Sequence, residues 1–300
     1  MSCWEWLNLS ADRYREPVQP PSICGLIYAG QRHMLSGPPE STKTLVAAII
    51  SLTAQRQGEL VAHIDLEMGA HRTRALLEDL GATHDELREL QYTEPAGPPS
   101  PRDIEYVIGN GLSLAVIDAA AGAYGVSGLD DHARKDVEQF AQKWIEPLYR
   151  GEVATLLIDH VTKSTDTRGK WAIGSERKAG QVDVHLGLEV VGKQLTRGGS
   201  TLVKVRVHKD RSGWLPRPYA AQLELRSDPD THRITWEWRT PDQDETGDTW
   251  RPTGLMQKVS QFLARQTEPV SRNTVERSIG GTAQYVRRRW TSSCSSATSR

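Results

Sequence analysis

Eight consecutive residues, Gly37-Pro38-Pro39-Glu40-Ser41-Thr42-Lys43-Thr44, have the types and order needed to hold a phosphate. A glycine-opened loop lets successive backbone N–H groups turn inward on an anion, and the helix that follows adds its positive N-terminal end. In such a loop Lys43 reaches the β- and γ-phosphates of a nucleotide, and the Thr44 hydroxyl coordinates Mg²⁺. One position departs from the pattern. Thr42 stands where glycine usually precedes the lysine, which puts a branched Cβ where backbone and phosphate approach closely. A Pro-rich turn ahead of a buried helix is the competing reading of the same residues.

Two carboxylates extend the chemistry. Asp118 ends the apolar stretch 112–117, the place from which an acid holds the hydration shell of Mg²⁺ in phosphate-loop enzymes; a helix cap after a core strand is the alternative. Glu67 closes Ile64-Asp65-Leu66-Glu67 and is placed to orient or deprotonate an attacking water, with Asp65 as second candidate and a solvated surface acid as the plain reading of each.

These residues need strands and helices to bring them together. Residues 32–36 and 44–54 read as the strand and buried helix flanking the loop, 60–64 as a strand and 71–80 as a helix closed by Gly81. Short helices follow at 85–89 and 103–109, then a strand at 112–117, a small-residue loop to Gly128, a helix over 131–149 and a strand over 153–158 ending in Asp159-His160. Residues 23–29 read as a further strand before the turn at Gly30. Strand–helix alternation predicts a mostly parallel α/β sheet, whose ligands sit at the carboxyl ends of the strands. Residues 169–180 read as a mobile loop, and strands at 183–191, 202–208, 222–226 and 233–238, with no helices between them, read as an antiparallel extension.

The 300 residues suffice for one large domain and a small one, and 37% hydrophobic with 25% charged residues is ordinary globular composition. A net charge of −1 excludes a globally basic nucleic-acid binder, so any such surface must be local. Three scattered cysteines make no disulfide framework, no Cys/His spacing suggests zinc, and the apolar runs are too short to span a membrane. The expectation is a soluble, cytoplasmic protein with no membrane partner.

The loop, the strand-end Ile-Asp-Leu-Glu, the strand ending in Asp118, and Ile158-Asp159-His160-Val161-Thr162-Lys163 together resemble the RecA-like P-loop NTPase superfamily. Within it the chain is most similar to the RepA/DnaB-like AAA-type ATPases of actinobacteria and their phages, over residues 21–217. The resemblance implies ATP and Mg²⁺ as ligands, Glu67 as catalytic glutamate, and His160 and Lys163 as sensors of the γ-phosphate. Lys209-Asp210-Arg211-Ser212-Gly213 resembles the element such motors present to a neighbour's nucleotide, with Lys209 touching it and Arg211 as an arginine finger; a basic hairpin turn is the alternative. It also implies DNA as partner, a single strand among its forms, and a homo-oligomer such as a hexamer. Ser175, Arg177 and Lys178 are candidates for a loop facing nucleic acid, or simply an exposed charged loop.

The expected organisation is an arm over 1–20, the RecA-like domain over 21–239, a linker over 240–250 and a small module over 251–300. Leu255, Val259, Phe262 and Leu263 share a helical face, and the segments after them resemble a helix-turn-helix or winged-helix unit ending in Arg287-Arg288-Arg289, which would meet DNA phosphates. Small three-helix modules also serve protein contacts. Residues 290–300 are polar and aperiodic where a wing should follow, which points to a shifted reading frame and an incomplete module.

Overall fold

Apolar runs without polar alternation form the buried centre of the molecule, as strands covered on both faces must. The computed structural model describes residues 8–11, 19–160 and 173–241, with residues 173–176, Ser175 among them, described by their backbone alone. Lys163, most of the expected arm, the expected linker beyond residue 241 and the segment expected to be a helix-turn-helix tail, including Arg287, Arg288 and Arg289, lie outside the described residues.

Strand β1 (Arg32–Gly37) runs into the phosphate-type loop, and α1 (Lys43–Arg56) leaves it. Leu45, Val46, Ile49, Ile50 and Leu52 are all buried, so α1 is apolar on most sides rather than amphipathic. Then follow β2 (Val61–Asp65), α2 (Ala70–Asp79), α3 (His84–Glu89), β3 (Gln91–Thr93), α4 (Pro101–Gly109) and β4 (Leu114–Asp118). The chain continues through α5 (Ala120–Val126), α6 (Arg134–Phe140), a π-helical turn (Ala141–Ile145), α7 (Glu146–Arg150), β5 (Ala154–His160) and α8 (Ile173–Gly180). Strands β6 (Val184–Val191), β7 (Ser200–Asp210), β8 (Tyr219–Ser227) and β9 (Ile234–Arg239) close the described region.

All nine described strands form one sheet in the order β3-β2-β4-β5-β1-β6-β7-β8-β9. The pairs from β3 to β6 are parallel, and those from β6 to β9 antiparallel. Strand faces alternate between two layers: Val116 and Leu156 pack with α1, while Ile117 and Leu157 pack with Tyr124, Phe140 and Trp144. In β7 the alternation becomes visible in sequence, with Val203, Val205 and Val207 buried between half-exposed Lys204, Arg206 and His208.

Four expectations are corrected. Residues 23–29 form a tight turn with an isolated bridge between Ile23 and Ile27, because Cys24 (φ 52°) and Gly25 (φ 64°) both take left-handed backbone. The expected loop after Asp118 contains helix α5; Gly122 and Gly125 lower its helix propensity against three alanines, and Gly122 lets it sit close under the β2 turn, where a Cβ would collide with Leu66. The expected helix over 131–149 starts only at Arg134 and runs on to Arg150 through a π turn ahead of Pro147, which lacks the N–H that a regular α-helix would use. Residues 173–180 of the expected mobile loop are helical.

Candidate functional site

The parallel register gathers the candidate residues at one end of the sheet. Gly37 is level with His160 of β5, and Asp65 is level with Asp118 of β4. These are the carboxyl ends of β1, β5, β2 and β4, on either side of the point where the chain leaves β1 in one direction and returns in the other.

The loop closes tightly on itself. The Ser41 N–H donates to the Pro38 carbonyl at 3.2 Å, and a Cβ on Gly37 would displace the Ser41 hydroxyl from its place in the loop, which favours glycine as the opening residue. Glu40 (φ 60°) and Thr42 (φ 65°) both hold left-handed backbone. That explains the glycine usually found before the lysine: the turn needs positive φ, and Thr42 adopts it despite its branched side chain. The Thr42 carbonyl accepts the N–H of Val46 at 2.9 Å, the first bond of α1, while its hydroxyl donates to the Ser41 carbonyl. Thr42 gives α1 no side-chain cap, which leaves the helix's first donors facing the loop.

Lys43 lies buried over this loop. Its ammonium donates to the carbonyls of Gly37 (3.0 Å) and Pro38 (2.8 Å) and to Ser41 Oγ (3.4 Å). Burial lowers its pKa, against the attraction of Glu67, Asp118 and Asp159, so three acids surround one cation.

Asp118 is 2% exposed, and its Oδ1 is buried with no hydrogen-bond partner among the described residues. Burial pushes its carboxyl up to about 6, opposed by a hydrogen bond from the Thr44 side chain and reinforced by the negative charges of Glu67 and Asp65. A buried carboxylate with a spare oxygen beside a threonine hydroxyl is half of a hard-cation site. Among the described residues no group of three His, Cys, Asp or Glu side chains is arranged to hold a metal. The donor set thus suits an ion that takes its remaining ligands from phosphate and water, as Mg²⁺ does.

Glu67 and His160 stand on the open side, their side chains 45% and 37% exposed, with Glu67 Oε2 3.3 Å from His160 Nε2. Asp65 is engaged elsewhere, with its carboxylate accepting from the turn that carries Glu67. Beneath His160, Asp159 is buried against Lys178 at 3.2 Å, and Lys178 also holds Asp131 at 2.8 Å. Lys178 is 7% exposed and lies over the Tyr124 ring, so it is a buried clamp and not part of a surface facing nucleic acid; Arg177 beside it is exposed. Sequence reasoning missed this clamp: its members lie at positions 131, 159 and 178, and Lys178 was singled out only for a charged loop while Asp159 was noted only as part of the strand end.

Lys209 and Arg211 are not brought to the loop. Asp210 pairs with Val184, and Val184 with His33, which sets this corner at the amino end of β1. There the Lys209 ammonium donates to the carbonyls of Ala179 and Val182, and Arg211 donates to Asp183 Oδ1 at 2.9 Å. The other partner of Asp183 is Arg32, which also pairs with Glu146.

A family model described as an AAA domain matches residues 5–166, more than half of the chain. The chain belongs to the AAA domain family. The match takes in the loop, Glu67, Asp118 and His160 of this AAA domain and ends before the antiparallel extension. Among solved structures, a KaiC-like protein from the hyperthermophilic archaeon Pyrococcus horikoshii OT3 is similar with a TM-score of 0.51 at 17% identity, covering 74% of this chain and 98% of that one. At that identity the likeness is one of fold, and with the family match it supports a RecA-like architecture for this AAA domain. No curated protein matches the sequence significantly. Among the described residues no helix is long and apolar enough to cross a membrane.

Proposed function

We propose that the chain is a Mg²⁺-dependent ATPase of RepA/DnaB-like type, working on DNA as a homo-oligomer. One observation carries the reading: Lys43, the Thr44–Asp118 pair with its unpartnered oxygen, and the Glu67–His160 pair converge at one end of the sheet. Thr44 and Asp118 would hold Mg²⁺, which when bound neutralises and orients phosphate oxygens. Lys43 offsets charge on the transferring phosphoryl group, and moving from the loop carbonyls to phosphate exchanges weak neutral acceptors for a charged one. Glu67 takes a proton from the attacking water as the new P–O bond forms and the bond between the β,γ-bridging oxygen and the γ-phosphorus breaks, giving ADP and phosphate. The amino-end position of Arg211 suits a role at a second subunit's nucleotide.

The left-handed Thr42 supports a second reading, a nucleotide-sensing DNA-binding regulator that binds ATP and turns it over slowly. Both are tested by measuring ATP binding and hydrolysis with Mg²⁺, with and without single-stranded DNA, for the native chain and Lys43→Ala. Turnover that DNA stimulates and Lys43→Ala abolishes supports the motor. Tight binding with little turnover supports the regulator, and no binding overturns both.

A further inference from the structure

Glu67 stands on a turn that its own residues do little to hold. Helix α2 starts after Gly69 (φ 84°), which provides no side-chain cap, so the amides of residues 67–70 need acceptors from elsewhere. Asp65 supplies most of them. Its Oδ1 accepts the N–H groups of Glu67 and Met68, both at 2.9 Å, and its Oδ2 accepts the N–H of Gly69 at 3.0 Å and the Thr73 hydroxyl at 2.6 Å. Tyr92 of the edge strand β3 reaches in as well, its hydroxyl 2.8 Å from Asp65 Oδ2 and 2.9 Å from Glu94 Oε1. The Glu94 carboxylate in turn accepts the N–H of Ala70. On the inner side the Leu66 N–H donates to the Asp118 carbonyl at 2.6 Å, and Gly122 leaves Leu66 the room to sit there. The turn is therefore gripped from the edge of the sheet and tied directly to the strand that carries the metal candidate.

We propose that Asp65, braced by Thr73 and Tyr92, is the positioning residue for Glu67, fixing the backbone of residues 66–69 and so the reach of the Glu67 carboxylate. The proposal rests on the reading of Glu67 as the group that activates water. Burial works against ionisation of Asp65, and the donors from Thr73, Glu67, Met68 and Tyr92 outweigh it, so the carboxylate is held charged where it accepts from all of them. An asparagine would keep one acceptor oxygen and turn an NH₂ group toward donors, breaking half of the clamp with little change in shape.

The test combines amide hydrogen exchange over residues 66–70 with ATP binding and turnover, for the native chain, Asp65→Asn, Tyr92→Phe, Glu67→Gln and the double variant Asp65→Asn/Glu67→Gln. Expected for Asp65→Asn are exchange in the turn about tenfold faster or more, a kcat about 10- to 100-fold lower and an ATP affinity within a factor of about two. The double variant should be no slower than Glu67→Gln alone, because a residue that acts through Glu67 has nothing left to position. Tyr92→Phe should do the same more mildly, and it carries the test if Asp65→Asn does not fold. Unchanged exchange overturns the clamp, and a further loss in the double variant overturns its action through Glu67. If Glu67→Gln turns over like the native chain, the reading of Glu67 fails and takes this proposal with it, a result told apart by exchange that is still faster in Asp65→Asn.

Discussion

Glu67 and His160 meet at 3.3 Å across the end of β4, although their strands β2 and β5 are not neighbours in the sheet. The pair spans the position above Asp118 and leaves both side chains partly open to solvent. His160 should therefore act on the orientation of the Glu67 carboxylate more than on nucleotide binding. We expect His160→Ala to lower single-turnover hydrolysis about tenfold, below the range of a direct general acid–base group as suits a residue that orients one, with ATP affinity within a factor of about two. An equal loss in both would make His160 a phosphate ligand instead.

Thr42 takes a backbone conformation that costs a branched L-residue about 1–2 kcal/mol. Thr42→Gly removes that strain and gives back about 0.5–1 kcal/mol through the greater freedom of glycine in the unfolded chain. The expected net effect is a gain of roughly 0.5–1 kcal/mol in urea unfolding, together with ATP binding at least as tight as native. A loss of stability would show that the bond from the Thr42 hydroxyl to the Ser41 carbonyl outweighs the strain.

Much of this was legible in the sequence where one local rule governs a segment. The runs that became β4 and β5 are almost wholly apolar ahead of their closing Asp118 and Asp159-His160, as strands between two helical layers must be, while β1 is only partly apolar and is marked instead by the loop that Gly37 opens. Valines at 203, 205 and 207 gave the half-exposed β7 its period of two. Other features were hidden because their cause is remote in sequence. Helix α5 looks like a loop until Leu66 is seen resting on Gly122, and the three-residue β3 has no pattern of its own but brings Tyr92 to Asp65. Lys178 reads as a surface cation until Asp131 and Asp159 close around it. The left-handed Thr42 could be suspected from the missing glycine, while Asp65 was visible only as a rival to the residue it holds.

The buried histidines set the response to acid. Burial holds His33 and His63 at about 4 and His185 at about 3, against about 6.5 in the unfolded chain. Their contribution is fully present above about pH 6.5 and is lost progressively as the pH falls toward 4, where the unfolded chain takes up protons that the folded one excludes. Asp118 runs the other way: raised to about 6, it disfavours the fold when ionised and relieves it as the pH falls below 6. The lowered histidines, His208 among them, outnumber the raised carboxyls of Asp118 and Asp159, so thermal melts without nucleotide should show a Tm that declines from pH 7 to pH 4.5. His63→Phe should flatten the decline; a Tm that rises toward pH 4.5 would put Asp118 in control. Stabilisation by Mg²⁺ and ATP together should fade below about pH 6, as Asp118 takes up its proton.

Arg211 cannot serve the loop of its own chain. It lies at the amino end of β1, and the six residues from Arg32 to Gly37 span about 16 Å at 3.3 Å per residue, more than its side chain can bridge. It is also held in place there, since Asp183 accepts its guanidinium while binding Arg32 through both carboxylate oxygens. If Arg211 completes the site of a neighbouring subunit, Arg211→Ala and Lys43→Ala should each abolish turnover alone, and their mixture should recover part of it. The recovery has a structural source: an interface that sets the intact loop of one variant against the intact Arg211 of the other is a whole site. Specific activity of the native chain should also rise with protein concentration as the assembly forms. A mixture as inactive as its components, with native activity independent of concentration, would leave Arg211 as part of the Arg32–Asp183 network and confine the chemistry to one chain.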